Sequence, residues 1–207
     1  MPEKIAAGSP FPQMRVNSLD AEDVDITLCE PGTDWKMVVV YRGQHCPLCT
    51  RYLNKLATKR DELREAGVDV VAVTADSAEQ LQAHCEKLDV NFALHYGLTV
   101  AQMKALGLYI SHPRSPEETD HPFPEPGLFI INEEGNVQVV DISNGPFVRP
   151  DLDVLVPAMD NVPLRLADPL VIKYFMLTAY SFAKSTSMPV VVNVDVLSVS
   201  VALANAF

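Results

Sequence analysis

Residues 41–56 read YRGQHCPLCTRYLNKL and hold two cysteines, Cys46 and Cys49, three positions apart. Two sulfurs at that spacing suit three roles: a dithiol that closes to a disulfide, half of a metal site, or two small buried hydrophobes. The pair follows the β-branched run WKMVVVYR and opens a segment of helical period, so both side chains fall on one face of a first helical turn. Their Cβ atoms are then ~5–6 Å apart, and a disulfide tolerates Cα separations of ~4.4–6.8 Å, so the pair closes with little movement. At a helix start, unsatisfied N–H groups and the positive end of the dipole favour thiolate over thiol. Pro47 fits there, because the first helical position needs no N–H. A thiol whose pKa falls from ~8.5 to ~6.5 is ~75% ionised at pH 7 instead of ~3%, but loses ~8-fold in intrinsic nucleophilicity, a net gain of ~3-fold. The larger advantage is a stabilised leaving thiolate with a resolving thiol beside it. Arg42 and His45 are candidates for added positive charge.

A zinc site needs a second half, and the chain has neither another C-x-x-C nor an H-x(3–5)-H. His84 and Cys85 are adjacent on a predicted helix and do not readily face one ion, so no metal is expected. Cys29 and Cys85 read as core or incidental sulfurs, either able to resolve a sulfenic acid if close.

The elements that hold the pair are legible around it. Residues 47–66 form one apolar stripe that ends at Gly67, predicting a single helix. VDVVAVTAD is a second buried strand, and Asp76 or Ser77 is the N-cap of a helix running to about residue 88. A short helix is expected over 100–106. Residues 107–126 carry His112, His121 and five prolines, and read as a loop whose histidines line a cleft or sit at the surface. GLFIINEEGNVQVVDI reads as a β-hairpin, and RPDLDVLVPAM as a closing helix with Pro150 at its first position. A parallel βαβα half is thus followed by an antiparallel ββα half.

The 207 residues suffice for one sizeable domain with additions, and 48% hydrophobic against 21% charged residues is the composition of a folded chain. With 16 Lys and Arg against 27 Asp and Glu the net charge is −11, which works against a phosphate backbone and excludes nucleic acid as the expected partner. Four cysteines are too sparse for a secreted disulfide scaffold, and MPEKIAAGSPFPQMRV lacks a signal-peptide pattern, so a cytoplasmic location is expected. The apolar stretch 188–207 is interrupted by Asn193 and Asp195, and its valines recur mostly at period two, as in a strand rather than a membrane span. Residues 160–207 fit neither half. There, Tyr174, Phe175, Tyr180 and Phe182 suit either a homodimer patch or a cover for the chain's own sheet.

The segments VVVYRGQHCPLC, VVAVTADSAEQL, HCEKLDVNFAL, PGLFIINEEGNV and PFVRPDLDVL resemble, in this order, the peroxiredoxin-like branch of the thioredoxin superfamily, the alkyl hydroperoxide reductase/thiol-specific antioxidant family. The resemblance implies an α/β, thioredoxin-like fold over residues 6–159, with a central mixed β-sheet flanked by helices and a C-terminal extension over 160–207. It matches Pro126 to the superfamily's cis-proline, which faces the cysteines and presents backbone to a thiol substrate, and Tyr41, Arg42 and Gly43 to the branch's lead-in. The family motif P-x-x-x-T-x-x-C lays Arg42 on its proline, Cys46 on its peroxide-orienting threonine and Cys49 on its peroxidatic cysteine. The family's arginine before the late strand falls where this chain reads FPEPGLF.

The reading is a thiol-disulfide oxidoreductase or thiol-dependent peroxidase. It cycles Cys46 and Cys49 as catalytic residues, with Arg42, His45 and Pro126 against the substrate. In the thioredoxin alignment Cys46, the more exposed member, attacks and Cys49 resolves. No bound cofactor is expected; electrons come from a thiol reductant such as thioredoxin or glutathione, and the substrate is a peroxide or a disulfide. The alternative is a non-catalytic binding or redox-sensing module on the same fold.

Overall fold

The computed structural model describes residues 5–161, 190–195 and 198–203. A two-residue pair, β1 (Arg15–Val16) and β2 (Val24–Asp25), precedes the first long strand, β3 (Trp35–Val40). Then come α1 (Pro47–Ala57), α2 (Arg60–Glu65), β4 (Val68–Val73), α3 (Ala78–Cys85), β5 (Ala93–His95) and α4 (Val100–Ala105). A second short pair, β6 (Ile110–Ser111) and β7 (Phe123–Pro124), leads to β8 (Gly127–Ile131), β9 (Val137–Ile142) and α5 (Leu152–Asn161).

Five of the strands form one mixed sheet in the order β5-β4-β3-β8-β9, with β3, β4 and β5 parallel and β8 antiparallel to both β3 and β9. Every residue of β3 and β4 is buried, as continuous β-branched runs demand of central strands. Phe11 meets Phe129 edge-on at 5.5 Å in the core on one face.

Three local expectations are revised, and the choice between Asp76 and Ser77 as a cap is decided. The helix of 47–66 is two helices, because the Thr58 hydroxyl donates to Lys55 O at 2.7 Å and the Thr58 and Lys59 N–H groups close tight turns onto Lys55 and Leu56. Ser77, not Asp76, caps α3: its Oγ accepts from Gln80 N while Gln80 Oε1 accepts from Ser77 N, a reciprocal capping box. Helix α5 starts after Pro150, with the Asp151 carboxylate accepting from Asp153 N at 3.0 Å in the capping role. The proline-rich segment is not wholly irregular, since β6 and β7 pair antiparallel at its two ends.

The chain divides into two compact units, Met1–Asp160 and Asn161–Phe207. In the second, β10 (Val190–Asp195) and β11 (Ser198–Leu203) pair antiparallel with each other. The apolar helix candidate with Tyr174, Phe175, Tyr180 and Phe182 lies outside the described residues. No helix of the described residues is long and apolar enough to cross a membrane.

Two charged side chains enter the buried strands as a pair. Lys36 and Asp69 lie opposite each other on β3 and β4, with Nζ and Oδ2 2.5 Å apart, and Arg60 stands 3.6 Å from the other Asp69 oxygen. Removing one partner leaves the others charged and buried. Asp69→Ala is expected to lower the unfolding free energy by about 3–5 kcal/mol, and the double variant Lys36→Met, Asp69→Leu to recover most of it, both read by urea denaturation. A single variant within 1 kcal/mol of wild type would contradict this account.

Candidate active site

The parallel strands β3 and β4 end side by side, and the site grows from their C-terminal ends, the usual place for chemistry in an open α/β sheet. Tyr41 extends the ladder by donating to Val73 O at 3.1 Å, and the chain then turns through Gly43 into α1.

Cys46 is the N-cap of α1. Its backbone is extended (φ −107°, ψ 99°), and its Sγ accepts the Cys49 N–H at 3.3 Å where a serine or aspartate oxygen would ordinarily stand. Pro47 follows at the first helical position. Both cysteines are reduced and buried, Cys46 at 2% exposure and Cys49 at 1%, so Cys46 is the more exposed member by a small margin only.

A hydrogen bond from the Cys49 thiol lowers the Cys46 pKa to about 5 against the opposing cost of burial, and the Cys49 N–H, the Arg149 guanidinium and Arg42 assist. Burial pushes the Cys49 thiol well above its ordinary range, and the bond to Cys46 adds to it. The pair is therefore one thiolate and one thiol at neutral pH. Arg149 Nη2 donates to Cys49 Sγ at 3.0 Å, although the charge settles on Cys46. The two facts agree once the pair is taken as a chain: Cys49 Sγ accepts a hydrogen bond from the guanidinium and its S–H donates one to Cys46.

Arg42 stacks on Phe123, 4.6 Å from the ring centroid, and is held by Glu125 at 3.4 Å and Glu118 at 3.6 Å. His45 packs against the same ring at 4.6 Å. Burial, and then Arg42, lower its pKa to about 4, so it is neutral near pH 7 and brings no positive charge to the cysteines. A narrow pocket opens on Cys49, with Arg149, Tyr52, Asp141 and Pro126 among its walls. Pro126 thus does share a wall with Cys49. Its peptide bond, however, is trans, like all others among the described residues. The segment runs extended from β7 into β8, with Glu125 N bonded to Tyr109 O and Pro126 O accepting from Ser143 N, so nothing opposes the ordinary preference for trans.

FPEPGLF carries no arginine, but Arg149, in the stretch between β9 and α5 and 100 residues after Cys49, brings a guanidinium to the pair. Its only sequence signal was its place in PFVRPDLDVL. Asp76 was also missed as part of the site: its carboxylate accepts from Gln44 N at 2.8 Å. His84 is buried behind α1, where it bonds Thr50 Oγ1 at 2.9 Å, and burial lowers its pKa to about 4. Of the loop histidines, His121 joins Asp120 at 2.8 Å and faces Asp76 at 3.4 Å.

A mixed sheet with a reduced C-P-x-C pair capping the helix after its central strand defines a thioredoxin-like fold of the thiol-redox class. The chain belongs to the AhpC/TSA family, whose model matches residues 7–140. It is 32% identical over 90 residues to Peroxiredoxin Bcp of Escherichia coli (strain K12), covering 44% of this chain; it spans 56% of the length of the curated relatives it matches. In structure it resembles a peroxiredoxin-like protein from Aquifex aeolicus, with a TM-score of 0.63 and 18% identity over 77% of this chain and 88% of that one. Peroxidoxin BcpB from Mycobacterium tuberculosis gives a TM-score of 0.61 and 13% identity over 76% of this chain and 98% of that one. Both likenesses are of fold.

These ionisations link stability to pH. Cys46 titrates at about 5 in the fold against an ordinary 9.0, so between those values the unfolded chain holds a proton that the fold has released. Its contribution is full above 9.0 and lost as pH falls toward 5. His45 and His84, at about 4 against 6.5, act in the same direction at lower pH. Urea unfolding is expected to show stability falling from pH 9 to pH 5, with Cys46→Ser flattening the slope above pH 6.5. Equal slopes in the two proteins would mean that the fold does not hold Cys46 as a thiolate.

Proposed function

We propose that this protein is a thiol-dependent peroxidase whose Cys46 and Cys49 cycle between dithiol and disulfide. The observation that carries the reading is the Cys46 sulfur in the N-cap, held as a thiolate next to a protonated Cys49. The family and the name of the Escherichia coli relative, Peroxiredoxin Bcp, support it.

In the first step the Cys46 thiolate attacks the terminal oxygen of a hydroperoxide. The O–O bond breaks, the departing alkoxide takes up a proton and leaves as the alcohol, and Cys46 becomes a sulfenic acid. Cys49 then attacks that sulfur, the S–O bond breaks, water leaves with the Cys49 proton, and the disulfide forms. An external dithiol such as reduced thioredoxin, or two molecules of glutathione, returns the two electrons. Arg42 and Arg149 hold the thiolate and polarise the breaking O–O bond, while Pro126 and His45 bound the approach. The unit 6–159 carries this chemistry in a reducing cytoplasm, with 160–207 as an extension outside it.

Burial separates the two substrate classes. With both sulfurs at 2% exposure or less, a small peroxide entering beside Cys49 is favoured over a protein disulfide, which must bring its own backbone to the attacking sulfur. A reversed order, Cys49 attacking and Cys46 resolving, has one observation in its favour: Arg149 and the pocket both meet Cys49.

Peroxide consumption with an external dithiol is expected to fall by about 100-fold or more in Cys46→Ser and in Cys49→Ser. Cys49→Ser should accumulate a sulfenic acid at Cys46, trapped by dimedone. A trapped sulfenic acid only in Cys46→Ser would establish the reversed order. Insulin reduction faster than peroxide turnover would replace the peroxidase by a disulfide oxidoreductase, and wild-type turnover in both variants would end the enzyme reading. Arg149→Ala, with both sulfurs intact, is expected to lose about 10-fold or more in peroxide turnover.

A further inference from the structure

The turn in front of Cys46 is built around a buried carboxylate. Gly43 O accepts the Cys46 N–H at 3.1 Å, so residues 43–46 form a closed turn that sets where the N-cap sulfur begins. Inside that turn the Gln44 N–H points away from Cys46 and donates to Asp76 Oδ2 at 2.8 Å. Asp76 is itself fixed from behind. Its N–H donates to Thr74 Oγ1 at 3.2 Å, and its carbonyl accepts from Gly97 N at 3.0 Å, anchoring it to the end of β4 and to the turn after β5.

Gly43 shows that the approach is specific. It has φ +128°, and a Cβ added there would lie 2.3 Å from Asp76 Oδ1, so the glycine leaves both the backbone and the space that the carboxylate occupies. Asp76 has 0% exposure, and its Oδ1 has no hydrogen-bond partner, facing only His121 Nε2 at 3.4 Å. A fully buried carboxylate with one oxygen lacking a hydrogen bond is costly to stability, so its place against this turn calls for a physical reason.

We infer that Asp76 is a positioning residue for Cys46: by holding Gln44 N–H it locks the Gly43–Cys46 turn and thereby aims the Cys46 sulfur at the Cys49 N–H. This rests on the proposed function only in taking Cys46 as the reactive sulfur. Asp76 does not touch substrate. The titratable groups facing its carboxylate are His121, the buried Tyr41 and, more remotely, Asp120.

The charge and the hydrogen bond of Asp76 act on Cys46 in opposite directions, which makes the inference testable. Its negative charge disfavours a nearby thiolate, so removing the charge alone lowers the Cys46 pKa; removing the acceptor misplaces the sulfur and raises it. Asp76→Asn keeps an oxygen for Gln44 N–H and turns an amide toward His121. The experiment is the pH dependence of iodoacetamide alkylation of Cys46 in the full chain, resolved by fragment masses of the tryptic peptide 43–51. Asp76→Ala is expected to raise the Cys46 pKa by about one unit, while Asp76→Asn leaves it at or below the wild-type value. Asp76→Val, which fills more of the space and also lacks an acceptor, takes the place of Ala if Ala fails to fold. The inference is overturned if the acceptor-free variant titrates with or below wild type, or if Asp76→Asn rises as far as it does. A wild-type Cys46 that titrates like an ordinary thiol sinks the proposed function instead, so the two failures are told apart.

Discussion

The structure turns on one hydrogen bond, from the Cys49 N–H to the Cys46 sulfur at the start of α1. A helix start must satisfy its first N–H groups, and sulfur is a poorer acceptor than the oxygens that normally do so. A thiolate is a better acceptor than a thiol, so capping and ionisation favour each other. Burial opposes both, because a charged sulfur at 2% exposure has given up water. The Cys49 thiol and N–H, Arg149 and Arg42 together replace that hydration, and all are positioned by elements that converge only in the folded chain.

Among the described residues, the positive charge that acts on Cys46 comes from Arg149 and Arg42. Histidines buried as His45 and His84 are would have to be hydrated or paired to stay charged, and both are neutral near pH 7. A guanidinium stays protonated in the same surroundings and presents several donors in fixed geometry. Arg42 needs neighbours to be held so close to the sulfur; Glu118 and Glu125 supply the charge, and Phe123 the flat surface. In a chain with net charge −11, the local excess of donors around two sulfurs is an arrangement of this site and not a property of the composition.

How much of this was legible in the sequence depended on range. The strands β3 and β4, the hairpin β8–β9 and the cysteine pair at a helix start follow from composition and period over a few residues, and each is present as read. The break at Thr58 was missed because it lies in a hydrogen bond from the Thr58 hydroxyl to Lys55 O, which leaves the apolar stripe on either side intact. Arg149 and Asp76 were missed as partners of the site for a different reason. Each meets the cysteine turn through the sheet's topology, across 100 and 32 positions, and no local pattern encodes which strand ends meet. Asp76 was noticed only as a candidate cap. Ser77 takes that duty, which leaves the Asp76 carboxylate free to reach Gln44. The trans bond at Pro126 corrects an expectation that came from family resemblance and had no support in its neighbouring residues.

The same arrangement bears on the direction of any redox cycle the pair undergoes. Closing a disulfide removes the thiolate, and with it the acceptor for the Cys49 N–H and the charge that faces Arg149 and Arg42. Every interaction that holds Cys46 near pKa 5 is therefore an interaction of the reduced state. Stabilising the dithiol form in this way makes the disulfide easier to reduce, by about 60 mV if two pKa units at neutral pH are counted in full. The high pKa of Cys49 does not offset this at pH 7, where that sulfur is protonated in either environment. A fold that buries a thiolate among guanidinium and amide donors thus gains a ready nucleophile and a readily reduced disulfide from a single set of contacts.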